Sequence, residues 1–233
     1  MFDTSGVFKL FNVKLSVFKE FLSKYDFSYN VTTDDDGVKF EYDFKGLSVG
    51  EMDCFYKAFL RDFGDKIYAE TDVSLINQLF NILKIRGLKI SVAESFTGGK
   101  ISSLITSISG ASSIFYEGVV CYNELSKNKR LGVKLDTLKR KNPVSEEVAN
   151  EMCLGLLNDS LADISISTTG IAGPNSDNSG YPVGLCYFGV ATKKKSAVYK
   201  YMLGGSREEI INKGVKTALF LTVKALRDGS FDV

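Results

Sequence analysis

Three stretches of this sequence place hydroxyl or cationic side chains where chemistry could be done. The first is Ala93-Glu94-Ser95-Phe96-Thr97-Gly98-Gly99-Lys100. Leu88, Ile90 and Val92 alternate as a strand before it, and Ile101, Leu104, Ile105 and Ile108 take helical spacing after it. Residues 94–99 are thus predicted as a strand-to-helix turn, a favoured position for chemistry in an α/β sheet. The turn is not a P-loop, which needs Gly where Glu94 stands and Ser or Thr where Ile101 stands. A hydroxyl facing the free N–H groups of a helix start suits a nucleophile with its oxyanion site, or a phosphate cradle. It also suits a plain helix cap by Ser95 or Thr97, with the glycines allowing close packing. The second stretch is Ser126-Lys127-Asn128-Lys129-Arg130, by itself a solvated basic patch. Lys127 could serve as a base only if desolvation or neighbouring cations lowered its pKa from about 10.4 toward neutrality. The third, Thr168-Thr169-Gly170-Ile171-Ala172-Gly173-Pro174, puts hydroxyls at a strand end before a glycine- and asparagine-rich loop reaching Gly180. Arg207 stands at the first helical position after Ser206, where a cation opposes the helix dipole; it is better placed there if it meets an anion.

An absence narrows the chemistry. The 233 residues contain no histidine, which removes Ser-His-Asp triads, Cys-His proteases and H-E-x-x-H zinc sites together. A base must then be Lys, Asp, Glu, Tyr or an amine. Cys54, Cys121, Cys153 and Cys186 are far apart and form no C-x-x-C pair, so reduced thiols, no disulfides, no metal and no cofactor are expected. A net charge of +1 gives no broad electrostatic reason for binding nucleic acid or an anionic membrane. Lys9, Lys14 and Lys19 interrupt the first apolar stretch, and no segment approaches the roughly 18 apolar residues of a membrane span, so a cytoplasmic protein is expected.

The elements that must position these residues fall into two regions. Residues 1–70 hold most of the clustered aromatics and an acidic turn, Asp34-Asp35-Asp36-Gly37, between strand-like segments at 27–32 and 38–44. With helical spacing at 13–25 and 49–63, they read as a small α+β domain. In residues 71–233, Asp72 is a candidate cap for a helix with the stripe Leu75, Ile76, Leu79, Phe80 and Leu83, ended by Gly87. Strands are predicted at 118–122, 164–168, 184–192 and 197–203, a helix at 146–157, and a last helix from the capping box Ser206/Glu209 to Arg227. The basic turn Lys193-Lys194-Lys195 is too short for a parallel crossover, so the fold class is α/β: a three-layer α/β/α domain with a mixed sheet.

The motifs together resemble the C-terminal domain of the CinA family (competence/damage-inducible protein A). The resemblance runs from about Leu75 to Arg227. It rests on Ala93 to Gly99, Gly110-Ala111-Ser112-Ser113, Gly118 to Tyr122 with Lys127 five residues on, Leu131-Gly132-Val133, Val144 to Ala149, Thr169 to Pro174 and Pro182-Val183-Gly184. It implies an amidohydrolase that converts nicotinamide mononucleotide to nicotinate mononucleotide and ammonia by a Ser/Lys mechanism without metal; independently, a homo-oligomer is expected because symmetric assemblies are common among soluble proteins. Ser95 would be the nucleophile, with Thr97 the alternative hydroxyl, and Lys127 the general base. Tyr122 and Thr169 would position or polarise. Glu94, Thr97, Gly98, Gly99 and Gly170 would contact substrate, with N–H groups near Thr97–Gly99 as the oxyanion site, and Arg207 would meet the substrate anion. Two departures stand out: Phe96 occupies a position where the family usually has Cys, and Tyr122-Asn123-Glu124-Leu125-Ser126-Lys127 replaces Tyr-Ser-Asn-Glu-Ala-Lys. Phe8-Lys9-Leu10-Phe11 and Phe63 to Tyr68 resemble the KH-like middle domain of longer members, without a Gly-x-x-Gly loop that would imply nucleic-acid binding. No counterpart of the larger nucleotide-pyrophosphatase domain of those members is seen, so no metal-dependent pyrophosphatase activity is expected. A non-catalytic nucleotide sensor or partner-binding protein linked to competence or DNA damage is the competing reading; it gains if Ser95 and Lys127 lie remote from one another.

Overall fold

A computed structural model of the chain describes residues 4–176, 180–227, 229 and 231; of the expected loop at 170–180, residues 177–179 lie outside the described residues. The chain divides into two compact units, Met1–Gln78 and Leu79–Val233. The first contains β1 (Ser5–Leu10), α1 (Leu15–Leu22), β2 (Ser28–Asp34), β3 (Gly37–Asp43), α2 (Val49–Phe63) and β4 (Ile67–Ala69). The division falls inside α3 (Leu75–Arg86), a few residues beyond the boundary expected near 70.

In the first unit the sheet order is β2-β3-β1-β4, antiparallel throughout. The β2–β3 hairpin is the one the acidic turn signals, with Asp34 Oδ1 accepting the N–H groups of Asp36 and Gly37. The order βαββαβ with β1 beside β3 is a split βαβ arrangement, and nothing in it confirms the KH-like expectation. Strands β1 and β4 were not foreseen, because β4 is too short to show a period and both are defined by distant pairing. One sheet face, through Phe8, Leu10, Phe40 and Tyr42, packs on Phe18 and Leu22 of α1 and Phe55 and Phe59 of α2 in a core of aromatic rings. Lys39 on the other face holds Asp72 at 2.6 Å. Asp72 is therefore not the cap of α3: Ser74 Oγ accepts the Asn77 N–H, at 3.4 Å.

The second unit contains β5 (Ile90–Glu94), α4 (Lys100–Thr106), β6 (Phe115–Val120), α5 (Glu124–Leu131), α6 (Leu135–Lys141), α7 (Glu146–Asp159), β7 (Ile164–Gly170), β8 (Leu185–Thr192), β9 (Ser196–Met202) and α8 (Arg207–Arg227). Its sheet, β6-β5-β7-β8-β9, is parallel across β6, β5 and β7 and antiparallel across β7, β8 and β9. This is the expected mixed sheet. α7 covers one face, and α4 and α8 cover the other. The period of two is visible in β7: Ser165, Ser167 and Thr169 donate to Cys153 O, Ala149 O and Pro143 O on the α7 side, while Thr168 points the other way. β6 ends earlier than predicted, because the Cys121 N–H makes its last sheet-end bond to Glu94 O and Tyr122 then leaves. α8 has the predicted cap, with the Ser206 N–H donating to Glu209 Oε2 at 2.7 Å. The four cysteines are free thiols. Among the described residues no helix is long and apolar enough to cross a membrane, and no cluster of His, Cys, Asp and Glu could hold a metal ion.

Candidate active site

The turn between β5 and α4 is built around Glu94. Its carboxylate, fully buried, accepts the N–H groups of Gly99 (2.9 Å), Ile101 (3.1 Å) and Ser102 (2.8 Å) and the Ser102 hydroxyl (2.7 Å). A carboxylate here satisfies donors that a helix start leaves open and complements its dipole. Glu94, expected to contact substrate, thus has both oxygens committed to its own turn. Glu94→Gln replaces one acceptor oxygen with a donor facing N–H groups, and should lower the unfolding free energy by about 1–2 kcal/mol; urea denaturation measures this. Gly98 and Gly99 turn the chain at φ +62° and +93°, conformations that favour glycine. Their N–H groups are also taken, Gly98 by Ser95 O and Gly99 by Glu94. Of the N–H groups expected to form an oxyanion site at Thr97–Gly99, those of Gly98 and Gly99 are thus occupied, while those of Phe96 and Thr97 have no acceptor among the described residues.

Ser95 is 7% exposed. Its N–H is held by Thr168 O at 3.1 Å, and its Oγ lies 2.8 Å from Lys127 Nζ. Lys127 arrives on α5, which Asn123 caps by accepting the Leu125 N–H. In that short helix the inward stripe is Lys127 and Leu131, four residues apart, while Lys129 and Arg130 face solvent. The basic patch thus supplies one buried lysine, 2% exposed. Its Nζ meets Cys121 O at 2.9 Å and Tyr122 O at 3.4 Å besides Ser95, and no carboxylate among the described residues. Burial without a counter-ion lowers its pKa to about 8. The Cys121 thiol beside it is pushed up by burial and stays neutral, so it adds no anion. When neutral, Lys127 can donate two hydrogens to the two carbonyls, which turns its lone pair toward the Ser95 hydroxyl. Thr97 makes no contact with Lys127; its Oγ1 lies 2.9 Å from Thr168 Oγ1. Of the two candidate hydroxyls, the one beside the lysine is Ser95.

Tyr122 and Arg207 come together at the exposed rim. Arg207 donates from Nη2 to the Tyr122 hydroxyl (2.8 Å) and from Nη1 to Gly173 O (2.6 Å). Thr169 is not brought to this group: its hydroxyl donates to Pro143 O at 2.6 Å on the α7 side. Gly170 serves packing, since a Cβ there would stand 2.7 Å from Cys186 Sγ and 3.1 Å from the Phe96 ring. The Phe96 ring is 3% exposed and points inward, edge-on to Phe188. A Cβ at Gly214 of α8 would come within 2.6 Å of it. Phe96 is therefore held by the core and is not presented to a ligand. Thr168, Gly214 and the carbonyls of Cys121 and Tyr122 were not foreseen. For Thr168 the available signal was strand alternation against Thr169, which cannot say which face is which.

A buried lysine hydrogen-bonded to a serine at the carboxyl end of a parallel strand, in a three-layer α/β/α domain, defines the class. The CinA C-terminal domain model matches residues 72–226, and the chain belongs to that family. It is 41% identical over 184 residues to a CinA-like protein of Kosmotoga olearia, covering 79% of this chain and 45% of that one. To a putative competence-damage inducible protein of Bacillus subtilis it is 40% identical over 163 residues, covering 70% and 39%. The chain thus spans less than half the length of these relatives. Among solved structures, a CinA superfamily protein from Klebsiella pneumoniae superposes with a TM-score of 0.65 at 27% identity, over 66% of this chain and 96% of that one. A competence/damage inducible protein from Agrobacterium tumefaciens gives 0.63 at 34% identity, over 66% and 93%.

Proposed function

We propose that the protein hydrolyses the carboxamide of nicotinamide mononucleotide to nicotinate mononucleotide and ammonia. The observation that carries this reading is the 2.8 Å contact between Lys127 Nζ and Ser95 Oγ, buried and without a carboxylate partner. Neutral Lys127 takes the Ser95 proton as Oγ adds to the amide carbon, and the π pair moves to the amide oxygen. The ammonium then returns its proton to the departing nitrogen, the C–N bond breaks, and ammonia leaves an acyl ester on Ser95. Lys127 next deprotonates a water that attacks the ester, which restores the serine and releases the carboxylate. Arg207, fixed by two acceptors, supports anion recognition at the rim. The contact between Ser95 and Lys127 favours this reading over the non-catalytic one.

Ammonia release from nicotinamide mononucleotide by the purified protein, with Ser95→Ala as control, tests the proposal; an inactive wild type or a fully active variant would overturn it. The base must be neutral, so with a pKa of about 8 roughly a tenth of Lys127 is active at pH 7. The rate should climb through the neutral range and level off above about pH 8 to 9. A stopped-flow profile that is flat from pH 6.5 to 9 would exclude Lys127 as the base.

A further inference from the structure

Thr97 and Thr168 form a pair that no part of the Ser/Lys scheme uses. Thr97 is 1% exposed and Thr168 0%. Their hydroxyl oxygens are 2.9 Å apart, and Thr168 Oγ1 also lies 3.3 Å from the Ser95 N–H. Each hydroxyl carries one hydrogen and can accept two. One hydrogen spans the 2.9 Å contact; the second has no acceptor among the described residues. A buried hydroxyl hydrogen without an acceptor is costly in the resting protein. It is therefore a donor waiting for an acceptor brought in from outside. If Thr168 donates to Thr97 and accepts from the Ser95 N–H, the spare hydrogen belongs to Thr97, two residues beyond the nucleophile and beside the unpartnered N–H groups of Phe96 and Thr97.

We propose that Thr97 and Thr168 act as one unit in which Thr168 orients Thr97, and the Thr97 hydroxyl donates to the oxygen of the acyl group that Ser95 attacks. This rests on Ser95 being the nucleophile of an amide hydrolase. As the amide oxygen gains negative charge it becomes the better acceptor, so the donor stabilises the transition state more than the bound substrate. Thr168 is a positioning residue, acting through Thr97; the Ser95 N–H keeps its bond to Thr168 O when the hydroxyl is removed. The substrate class is thereby restricted to those with an acyl oxygen at the reacting carbon.

Thr97→Val and Thr168→Val keep the branched shape and remove the hydroxyl. Thr97→Val should lower kcat about 100-fold with KM changed less than about threefold. Thr168→Val should lower kcat by about 10- to 100-fold, the double variant should be no slower than Thr97→Val, and Thr168→Ser should recover most of the rate. The midpoint of the pH profile should stay with Lys127 in every variant. The same set is also assayed without nucleotide, by the rate at which phenylmethylsulfonyl fluoride modifies Ser95, read by mass spectrometry, since its sulfonyl oxygen needs the same donor. A wild type that is labelled at Ser95 but releases no ammonia from the mononucleotide removes the proposed function, and the labelling rates then decide the pair by themselves. Valine variants as fast as wild type, effects that multiply in the double variant, or a wild type whose Ser95 is not labelled would each overturn the inference.

Discussion

Lys127→Met should reduce ammonia release from nicotinamide mononucleotide by about four orders of magnitude while making the protein harder to unfold at pH 7. The two effects have one cause. Lys127 shifts from 10.5 in the exposed chain to about 8 when folded, because burial penalises the ammonium. At pH 7 both states hold the proton, so the full shift opposes folding, by about 3 kcal/mol at 1.36 kcal/mol per pKa unit. Methionine removes that penalty but leaves the Cys121 and Tyr122 carbonyls without a donor, so a net gain of about 1–2 kcal/mol is expected. The sign can be checked in the wild type itself. Lys127 is less protonated in the folded than in the unfolded state between about pH 8 and 10.5 and contributes a rise in stability across that window, whereas the thiols of Cys121, Cys153 and Cys186, raised by burial, contribute a fall above about pH 9. The methionine variant should lack that rise. Urea denaturation at pH 7 and pH 9.5 measures both. A methionine variant weaker than wild type at pH 7, with the same pH slope as the wild type, would show that Lys127 is not strained by burial.

The second large effect is expected far from the nucleophile. A Cβ at Gly155 of α7 would stand 1.7 Å from the backbone oxygen of Leu131 and 2.8 Å from its carbonyl carbon. No side-chain rotation relieves that overlap, so Gly155→Ala must push the end of α5 away from α7. Leu131 lies one turn beyond Lys127 on the same eight-residue helix. The lysine should move with it, and a displacement of about an ångström at a reacting group costs on the order of 100-fold in rate. Overpacking should also lower stability, by about 1–3 kcal/mol. Because a displaced ammonium regains water, the midpoint of the pH profile should shift upward, toward that of an ordinary lysine. A variant with wild-type rate and midpoint would mean that α5 positions Lys127 independently of α7.

These two residues also show what could be read without coordinates. The last helix was legible because its information is local: the Ser206/Glu209 box marks its start, and the apolar stripe lies within one segment. The Ser95 turn was legible for the same reason, as alternation gives way to helical spacing across a pair of glycines. α5 was not. Its sequence, Glu-Leu-Ser-Lys-Asn-Lys-Arg-Leu, offers two leucines in eight residues, and one of them, Leu125, is exposed. The element that buries the lysine is stabilised by what it packs on, and that packing is non-local. β4 is a strand of three residues, too short to show a period, and β1 is defined by its pairing with the distant β3 and β4. Asp72 was read as a cap because the residue type is right, but Lys39, brought close by strand pairing, takes it instead. Thr168 and Thr169 differ only in which side of β7 they face, and that parity becomes known once α7 and α8 are in place.

Phe96 has a consequence for how related sequences are compared. Its ring fills the space that a side chain at Gly214 would need, and it presses on Gly170 as well. Positions 96 and 214, far apart in the chain, are one character rather than two, while Gly170 is also held by Cys186 Sγ and the Leu185 backbone oxygen. Grafting Phe96 alone into a relative with a larger residue on the last helix would wedge that helix off the sheet. Replacing Phe96 by cysteine here would leave a hole beneath the nucleophile, which enlarging residue 214 could fill. An exchange at 96 is therefore expected to need a matching change at 214, so that what looks like a single change in the motif around the nucleophile is one half of a change that spans the sheet and the last helix.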